Sequence, residues 1–509
     1  MVKVWLENGE RLSVDNLDEH YPNNNPIGLV QLLVSVDVET GFNHRGIRQY
    51  PKLGAQIYSA HPKLVSLLAE GKLANAEEEL QLPIAEIPND PSVTIHLTPE
   101  KLFARHCAIL GSTGGGKSYT MANLINNVKK HGGKVLLLDA TGEYENLPCK
   151  SYYVGEHPRA TVQNKVTYPH WMFTDSDIRA LLRPSAGSQA PKLEEAIRSL
   201  KVVTCYWNLQ NHNLRITSDY NLEKSEQLKQ PFEKAINDIK SDFATIPWNF
   251  SSLASQIVAE CVWPNSGTST NPDLTKWGKR SENDVGYCLS LISRIKAMQN
   301  NRYLKWMLDC DISLKQIPNI IDNLCSNTQS SLIRLDLSFV PFEANAREIL
   351  VNTIGRKLLD CARKSNISYE NPLLVFIDES HQFLNKSIGD EISKMNLTAF
   401  GDIAKEGRKY GLNIVMATQR ARDIPEDVLS QIGTLIVHRL TNEKDQEIVK
   451  KAVGSIDNRS ASFLPVLGQG EALLLGVDFP FPMKVKIKQP ESPPQSRSAS
   501  FSSVWKAKK

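Results

Sequence analysis

The stretch "HCAILGSTGGGKSYTMANLI", residues 106–125, decides how the rest of the chain is interpreted. Four of its residues have the spacing G-x-x-x-x-G-K-[ST] of a P-loop: Gly111, Gly116, Lys117 and Ser118. Glycines let the backbone wrap closely around phosphates, because they carry no side chain and adopt positive φ freely. An apolar strand before the loop and a helix after it favour a nucleotide-binding loop over a glycine-rich turn that only caps a helix.

The P-loop predicts the ligands of the site. Backbone N–H groups and the N-terminus of the following helix would face an anion. Lys117 would reach the β- and γ-phosphates, and the Ser118 hydroxyl would ligate Mg²⁺, so we expect ATP and Mg²⁺ as cofactors. The residues predicted to bind nucleotide in this stretch are Gly111, Ser112, Thr113, Gly114, Gly115, Gly116, Lys117, Ser118 and Tyr119.

Composition narrows the class of protein. A chain of 509 residues suggests two to four domains. No run approaches ~18 consecutive apolar residues, so we expect no membrane span, and the N-terminus does not have the pattern of a signal peptide. Eight scattered cysteines and a nucleotide site indicate reduced thiols in the cytoplasm, and the histidines form no zinc-binding pattern. The net charge of +3 requires any nucleic-acid binding to use a local basic surface.

The chain divides into four predicted regions. Residues 1–98 contain short β-rich runs broken by Gly, Pro and Asn, with a helical pattern in their middle, and predict a small β-barrel-like module. Residues 99–150 and 331–488 form the nucleotide-binding core. Helical patterns dominate residues 151–330, which we interpret as an insertion into that core. Residues 489–509 are rich in Ser and Pro and predict a flexible tail.

Apolar strands alternate with helices in the core, which predicts an α/β fold with a doubly wound parallel sheet. Continuous apolar runs are typical of strands that are buried on both faces. The predicted core strands are "KVLLLDATGEY", "SLIRLDLSFV", "PLLVFIDES", "LNIVMATQ" and "GTLIVHRL", and the long helix is "ANAREILVNTIGRKLLDCARK". The runs "EALLLGVDF" and "PMKVKIK" predict a terminal hairpin.

Two acidic residues follow the strand "PLLVFI" and complete the predicted site. Asp378 would support Mg²⁺ through water, and Glu379 would polarise the water that attacks the γ-phosphate. An adjacent Asp-Glu pair also occurs at ordinary strand ends, where both acids are solvated. The combination with a P-loop favours the catalytic interpretation.

Four other polar residues are candidates with open alternatives. Gln419, after a core strand, would sense the γ-phosphate, or it is an ordinary loop glutamine. Arg408 could stabilise charge on a neighbouring subunit's nucleotide, or it belongs to a solvated basic turn; the same holds for Arg439. Glu143 follows the strand "KVLLLDA" and could point towards the catalytic edge, or it is a turn carboxylate.

Taken in order, these motifs resemble one family. The chain contains "RHCAILGSTGGGKS", "VLLLDATGEY", "LLVFIDESHQF", "IAKEGRKYGLNIVMATQR", "VLSQIGTLIVHRLTNEKDQ" and "GQGEALLLG". It resembles HerA, the hexameric translocase of the HerA/FtsK branch of P-loop ATPases, over nearly its whole length. The resemblance implies a RecA-like core, an N-terminal module like the family's HAS-barrel, and a helical insertion where HerA has one.

The resemblance also implies roles for individual residues. It implies six subunits in a ring around double-stranded DNA, with ATP sites between neighbours. Asp378 would support Mg²⁺, Glu379 would be the catalytic base and Gln419 the sensor. Arg408 would act in trans, and Arg105 would lie near a nucleotide phosphate.

The chain departs from the family's pattern at three positions. Thr141 stands where the family often has a histidine, which affects the expected detail near Glu143. Ala421 stands where a proline is common, and Ser380 replaces an alanine. None of these changes removes a predicted nucleotide ligand.

Two loops are candidates for DNA contact. "LRPSAGSQAPK" is flanked by Arg183 and Lys192, and "FLNKSIGDEISK" carries Lys386 and Lys394. A ring translocase needs loops that contact the phosphate backbone rather than the base sequence. Each loop could equally be a solvated connection between helices.

Two functions remain open at this point. The first is an ATP-driven translocase or helicase on double-stranded DNA, acting with a partner nuclease of the NurA type in DNA-end processing. The second is an ATPase ring that serves mainly as a scaffold and switch for an antiphage-defence effector, either a sirtuin-like NAD-consuming enzyme or a nuclease. A membrane-anchored, FtsK-like pump is disfavoured, because we expect no membrane-spanning segment.

Overall fold

A computed structural model describes most of the chain from residue 79 onward and parts of the region before it. The described residues are 2–6, 26–30, 32, 34–36, 43–45, 50–52, 56, 58–70, 79–207, 213–239, 242–268, 270–384, 387–388, 394–453, 458–495 and 505. Lys386, one of the candidate DNA contacts, lies outside them.

The strands range from two to eight residues in length. They are β1 Val2–Leu6, β2 Pro26–Val30, β3 Val34–Val36, β4 Asn43–Arg45, β5 Leu82–Ile87, β6 Asp90–Leu97, β7 Cys107–Leu110, β8 Lys134–Asp139, β9 Lys150–Val154, β10 Lys165–Thr167, β11 Ser266–Thr268, β12 Asn271–Asp273, β13 Lys315–Gln316, β14 Ser331–Asp336, β15 Leu373–Ile377, β16 Ser387–Ile388, β17 Met395–Asn396, β18 Leu412–Thr418, β19 Thr434–Val437, β20 Glu471–Gly476 and β21 Met483–Ile487.

The α-helices follow the same chain order. They are α1 Pro62–Glu70, α2 Pro99–Phe103, α3 Lys117–Lys130, α4 Asp175–Leu182, α5 Gln189–Tyr206, α6 Gln230–Asp238, α7 Leu253–Glu260, α8 Glu282–Gln299, α9 Lys305–Leu308, α10 Ile317–Ser326, α11 Ala346–Arg363, α12 Ala399–Glu406, α13 Glu426–Leu429, α14 Glu443–Val453 and α15 Asn458–Ala461. Within the described residues, none of these helices is long and apolar enough to cross a lipid bilayer.

A single large sheet organises the core, and the predicted α/β class is confirmed. Its strand order is β13-β10-β9-β14-β8-β15-β18-β7-β19-β20-β21-β5-β6. The strands from β13 to β19 run parallel, and those from β20 to β6 are antiparallel to their neighbours. The predicted terminal hairpin is therefore confirmed as β20 and β21.

Helices cover both faces of the sheet. Alternate residues of each strand point to opposite faces, so apolar side chains on both faces pack against helices. On β7, Ile109 joins the hydrophobic cluster that contains Leu124 of α3. Its neighbour Leu110 joins the second cluster, which contains Ile354 of α11 and residues of the inserted helices. β7 and β15 are apolar at every position, as expected of strands with two buried faces.

The inserted region, as residues 151–330 were interpreted from the sequence, contains the helices α4 to α10, with α5 and α8 packed on α7. That these residues are an insertion stays a prediction. The region also contributes strands to the main sheet, since β10 and β13 lie here and β9 begins at Lys150. The sequence analysis did not predict these three strands. They are short, and two of them begin with an exposed lysine, so they lack the long apolar pattern of the other core strands.

The strands of the N-terminal residues fall into two groups, separate pairs and strands of the main sheet. β1 pairs with β2 and β3 with β4, each as an antiparallel pair. β5 and β6, at residues 82–97, instead extend the main sheet, since β5 pairs with β21. The helical pattern predicted in this region corresponds to α1. A closed barrel formed by residues 1–98 stays a prediction.

The C-terminal residues up to 495 pack on the core. The Gln495 backbone N–H donates to the Glu143 carbonyl at 2.8 Å, and the Asn146 side chain donates to the Pro493 carbonyl at 3.1 Å. These residues belong to the segment interpreted from the sequence as a flexible tail. Residues 496–504 and 506–509 of that tail lie outside the described part of the chain.

Three buried histidines make the stability of this fold sensitive to acid. Burial lowers the pKa of His106, His170 and His438 from 6.5 to about 4. Between these values the histidines of the unfolded chain bind protons that those of the folded chain do not, so their contribution to the free energy of unfolding should fall as pH decreases from about 6.5 to about 4. Urea unfolding at a series of pH values would measure this slope.

The variant His170→Phe provides the comparison for the acid prediction. It removes one of the three titrating groups, so its stability should depend less steeply on pH than that of the wild type over the same interval. Equal slopes for the two proteins would show that His170 is not held neutral by the fold.

Candidate nucleotide-binding site

The P-loop lies between β7 and α3, as the spacing predicted. Gly114 and Gly116 have φ of 74° and 117°, a region that favours glycine over any residue with a Cβ. Gly116 caps α3, which begins at Lys117 and extends to Lys130. The free N–H groups at the start of this 14-residue helix can therefore face a phosphate.

Lys117 contacts the backbone of the P-loop and lies in the field of nearby carboxylates. Its ammonium group donates a hydrogen bond to the Ser112 carbonyl at 3.3 Å. Burial lowers the pKa of Lys117, and the negative charges of Glu379, Asp378 and Glu143 oppose that shift. The structure thus brings three predicted site carboxylates close enough to the P-loop lysine to affect its charge.

Asp378 follows β15 and is buried, 6% exposed. Its carboxylate accepts a hydrogen bond from the Thr141 hydroxyl at 2.8 Å. Burial, followed by the charges of Asp139 and Glu379, raises the pKa of Asp378 well above its ordinary value. Carboxylates that repel one another at a buried strand end fit a site for a divalent cation, whose charge would offset the repulsion.

Glu379 has an unusual backbone. Its φ and ψ are both 45°, the left-handed region that costs a residue with a Cβ free energy. This conformation ends the strand and directs the half-buried side chain next to His381, whose Nδ1 lies 3.2 Å from Oε2 of Glu379. His381 also contacts the Thr418 hydroxyl at 3.1 Å, so it links the ends of β15 and β18.

Gln419 touches the P-loop directly. It follows β18, and its side-chain oxygen accepts a hydrogen bond from the Thr113 hydroxyl at 2.8 Å. A cleft of about 240 Å³ lies beside this bond and is also lined by Ser112 and Asn442. The sensor position predicted from the sequence is therefore in contact with the loop that would hold the phosphates.

A tight turn after β8 carries Glu143. The buried Asp139 carboxylate accepts hydrogen bonds from the backbone N–H of Gly142 at 2.7 Å and from that of Thr141 at 3.2 Å. The same turn points the Thr141 hydroxyl at Asp378. Thr141, the departure from the family's usual histidine, thus retains a polar contact with the catalytic strand end.

A buried arginine holds this turn in place. Arg334, in the middle of β14, donates to Asp139 at 2.7 Å and to Asp336 at 2.6 Å, and all three side chains are at most 2% exposed. Burial raises the pKa of Asp139, and the charge of Arg334 opposes that rise. This group was not predicted from the sequence, because an arginine inside the apolar run "SLIRLDL" does not by itself identify its partners.

Two predicted arginines lie at the other edge of the sheet. Arg105 precedes β7 and Arg408 precedes β18, and these strands are parallel neighbours. β18 has seven residues, so Arg408 is roughly 20 Å from Gln419 at about 3.3 Å per residue. Both arginine side chains are exposed. Neither can contact a nucleotide bound to the P-loop of its own chain.

Arg439 and Tyr119 lie next to the P-loop. The Arg439 carbonyl accepts hydrogen bonds from the Ser112 backbone N–H at 2.8 Å and from its hydroxyl at 2.9 Å, while the arginine side chain is exposed. Tyr119, in the first turn of α3, is 38% exposed. Both side chains are therefore accessible at the edge of the sheet that carries the loop.

The candidate DNA contacts differ in their surroundings. Arg183 is exposed and caps α4, and Lys394 is exposed beside β17. Because α4 contacts β17, the two candidate loops lie on the same side of the molecule. The Lys192 ammonium group instead donates to the Glu260 carbonyl at 2.6 Å and lies 3.7 Å from Asp284, inside the inserted region.

A parallel sheet with a P-loop, an Asp-Glu pair at the end of a buried strand and a glutamine after the neighbouring strand defines an ATP-hydrolysing P-loop enzyme. The chain belongs to the HerA helicase family. It matches the family model "Helicase HerA, central domain" over residues 82–358 and the model "Helicase HerA-like C-terminal" over residues 368–505.

Curated relatives include two archaeal helicases. A probable helicase of Methanocaldococcus jannaschii is 23% identical over 444 residues, which cover 86% of this chain and 71% of that protein. The DNA double-strand break repair helicase HerA of Saccharolobus solfataricus is 25% identical over 394 residues, which cover 76% of this chain and 64% of that protein.

Among solved structures, VirB4 of Thermoanaerobacter pseudethanolicus has a similar fold. The TM-score is 0.50 at 13% identity, and the match covers 82% of this chain and 98% of that one. At this level of identity the likeness supports the shared fold alone.

The buried arginine gives a testable energetic prediction. Arg334→Met would leave Asp139 and Asp336 buried without a counter-ion, and we expect a loss of roughly 3–5 kcal/mol in the free energy of unfolding. Urea unfolding of the purified protein at neutral pH measures this loss. ATP hydrolysis should fall as well, because the turn that carries Glu143 loses its anchor.

Lys165→Met is the matched control for the buried arginine. It removes an ion pair with Glu156 of similar length, 2.8 Å, that lies at the surface. Its effect should stay within about 1 kcal/mol. If the two variants lost equal stability, the Arg334 group would not be a special constraint on the fold.

Proposed function

We propose that this chain is one subunit of an ATP-driven hexameric ring that moves along or unwinds double-stranded DNA together with a partner nuclease or effector. The observation that carries the proposal is the placement of the P-loop and of Arg408 at opposite edges of one sheet. The relatives named as DNA double-strand break repair helicases support DNA as the substrate.

The two edges favour head-to-tail assembly. One edge carries the carboxylates Asp378 and Glu379, and the other carries the exposed Arg105 and Arg408. Arg408 also borders a cleft of about 420 Å³ with a largely apolar lining that includes Phe103. A contact between unlike edges repeats from subunit to subunit and closes into a ring when the rotation allows. The number six rests on the family resemblance.

Hydrolysis would proceed at the interface between two subunits. The P-loop backbone and Lys117 bind the phosphates, and Ser118 and Asp378 would hold Mg²⁺, which supplies charge neutralisation when bound. Glu379 accepts a proton from the attacking water. Gln419 contacts the γ-phosphate, and Arg408 of the next subunit would stabilise the charge that develops there.

DNA would be held by its phosphates. Arg183 is kept in a left-handed backbone conformation, φ 48°, and its carbonyl accepts a hydrogen bond from Arg294 at 2.6 Å. The exposed Lys394 lies beside β17, which contacts the same helix, α4. Two cations on one side of the subunit, repeated around a ring, would bind the backbone without reading its sequence.

The central test is ATP hydrolysis by wild type and Glu379→Gln, with and without linear double-stranded DNA. DNA should accelerate the wild type. The variant should lose hydrolysis by about a hundredfold or more, since its amide cannot accept the proton, while it still binds ATP. Native mass spectrometry of the same samples should show a hexamer.

Arg183→Ala combined with Lys394→Ala is the control for the role of DNA. These residues lie away from the P-loop, so basal hydrolysis should persist while stimulation by DNA is reduced. If a ring forms but hydrolyses ATP slowly and is indifferent to DNA, the translocase proposal fails. In that case the scaffold for a defence effector becomes the better interpretation.

Complementation tests whether Arg408 acts in trans. Arg408→Ala and Lys117→Ala should each be nearly inactive, because an arginine of this kind contributes roughly 10³–10⁵ in rate. When the two variants are mixed in equal amounts, the intact P-loop of one variant faces the intact Arg408 of the other at roughly a quarter of the interfaces of a head-to-tail ring. ATPase activity should therefore reappear on mixing.

The ATPase activity of each variant alone is the baseline for this experiment. A mixture of the two variants that remains as inactive as either alone, although native mass shows mixed rings, would contradict a role of Arg408 across the interface. Activity of Arg408→Ala alone close to wild type would contradict any catalytic role.

A further inference from the structure

The P-loop packs against one buried side chain that has no assigned role. His438 is the first residue after β19 and is 0% exposed. A Cβ built on Gly111 would lie 2.6 Å from the His438 Cβ, and one built on Gly116 would lie 3.1 Å from its Cε1. The loop backbone therefore lies directly on the histidine: a Cβ at Gly111 would clash with it, and one at Gly116 would be in tight contact.

Both ring nitrogens of His438 are used. Nδ1 lies 2.9 Å from the Glu471 carbonyl, and Nε2 lies 2.7 Å from the Thr120 hydroxyl. A carbonyl oxygen only accepts, so Nδ1 carries the proton and Nε2 accepts the hydrogen of Thr120. Burial lowers the pKa of His438 to about 4, so the imidazole is neutral near pH 7.

Neighbouring residues hold the same loop through the backbone. The Ser112 N–H donates to the carbonyl of Arg439, the residue after His438. The Gly470 N–H donates to the Gly115 carbonyl at 3.3 Å, one residue before the Glu471 carbonyl that binds the imidazole. The ends of β19 and the start of β20 thus hold both the P-loop and the first turn of α3.

We infer that His438 is a positioning residue for the nucleotide phosphates, acting through the P-loop and Thr120. A loop with four glycines in six residues loses much conformational entropy when it is ordered around a ligand. Contacts that order it beforehand reduce that loss and strengthen binding. The neutral imidazole provides such contacts at two points, the loop backbone and the helix that follows it.

The test is the variant His438→Phe, which keeps a ring of similar size and removes both hydrogen bonds. The Kd for Mg·ADP should rise about five- to tenfold, the effect of losing one or two buried hydrogen bonds. The KM for ATP should rise by a similar factor while kcat stays within about threefold of wild type, since the reacting groups are unchanged.

His170→Phe is the matched control. His170 is equally buried, has the same lowered pKa of about 4 and contacts two backbone carbonyls, but it lies in the inserted helical region. It should lose stability without a change in the Kd for Mg·ADP. If His438→Phe behaves in the same way, with lower stability and unchanged Kd, its role is structural only and the inference is wrong.

Thr120 provides the second arm. Thr120→Val keeps the shape of the side chain and removes the hydroxyl, so it should raise the Kd for Mg·ADP as His438→Phe does, whereas Thr120→Ser should stay near wild type. The loss in the double variant should be smaller than the sum of the two single losses, because both substitutions remove the hydrogen bond between Thr120 and His438. Additive losses would overturn the inference. Since Mg·ADP binding is measured without DNA, these outcomes are independent of the proposed DNA function.

Discussion

The concentration of negative charge at one edge of the sheet is the constraint on which the rest of the structure depends. Asp139, Asp336 and Asp378 all end or follow neighbouring parallel strands and are nearly inaccessible to water. Buried carboxylates are stable only when cations or hydrogen bonds compensate for lost hydration. Arg334 compensates Asp139 and Asp336 through ion pairs. Asp378 instead accepts a hydrogen bond from a hydroxyl group and interacts with the positive charge of Lys117.

The buried carboxylates therefore fall into two groups, those that stabilise the fold and one that faces the nucleotide site. The carboxylates paired with Arg334 flank the turn after β8, whereas Asp378 is the carboxylate that the proposed function assigns to Mg²⁺. Glu379 differs from both sets in its left-handed backbone, which turns its side chain toward His381. Such a backbone conformation costs free energy and persists only where the surrounding structure stabilises it.

Much of this arrangement could be predicted because it depends on local spacing. The P-loop, the strand before the Asp-Glu pair and the terminal hairpin can each be recognised within a short run of residues, from motif spacing or from the pattern of apolar residues. Arg334 was missed because its partners lie 195 and 2 residues away in the sequence, and nothing local indicates the longer pairing. The strands β9, β10 and β13 were missed for a related reason. Their extended conformation depends on pairing with the main sheet, and their side-chain pattern alone does not indicate a strand.

The pairing of β5 with β21 joins residues from the first fifth of the chain to its last strands within one sheet. A shortened protein that began after β6 would leave β21 with a free row of backbone N–H and C=O groups. Exposed strand edges of this kind recruit other strands and promote aggregation. Any attempt to isolate the ATPase core should therefore begin before Leu82, because the sheet, rather than the first glycine of the nucleotide loop, marks where the core starts.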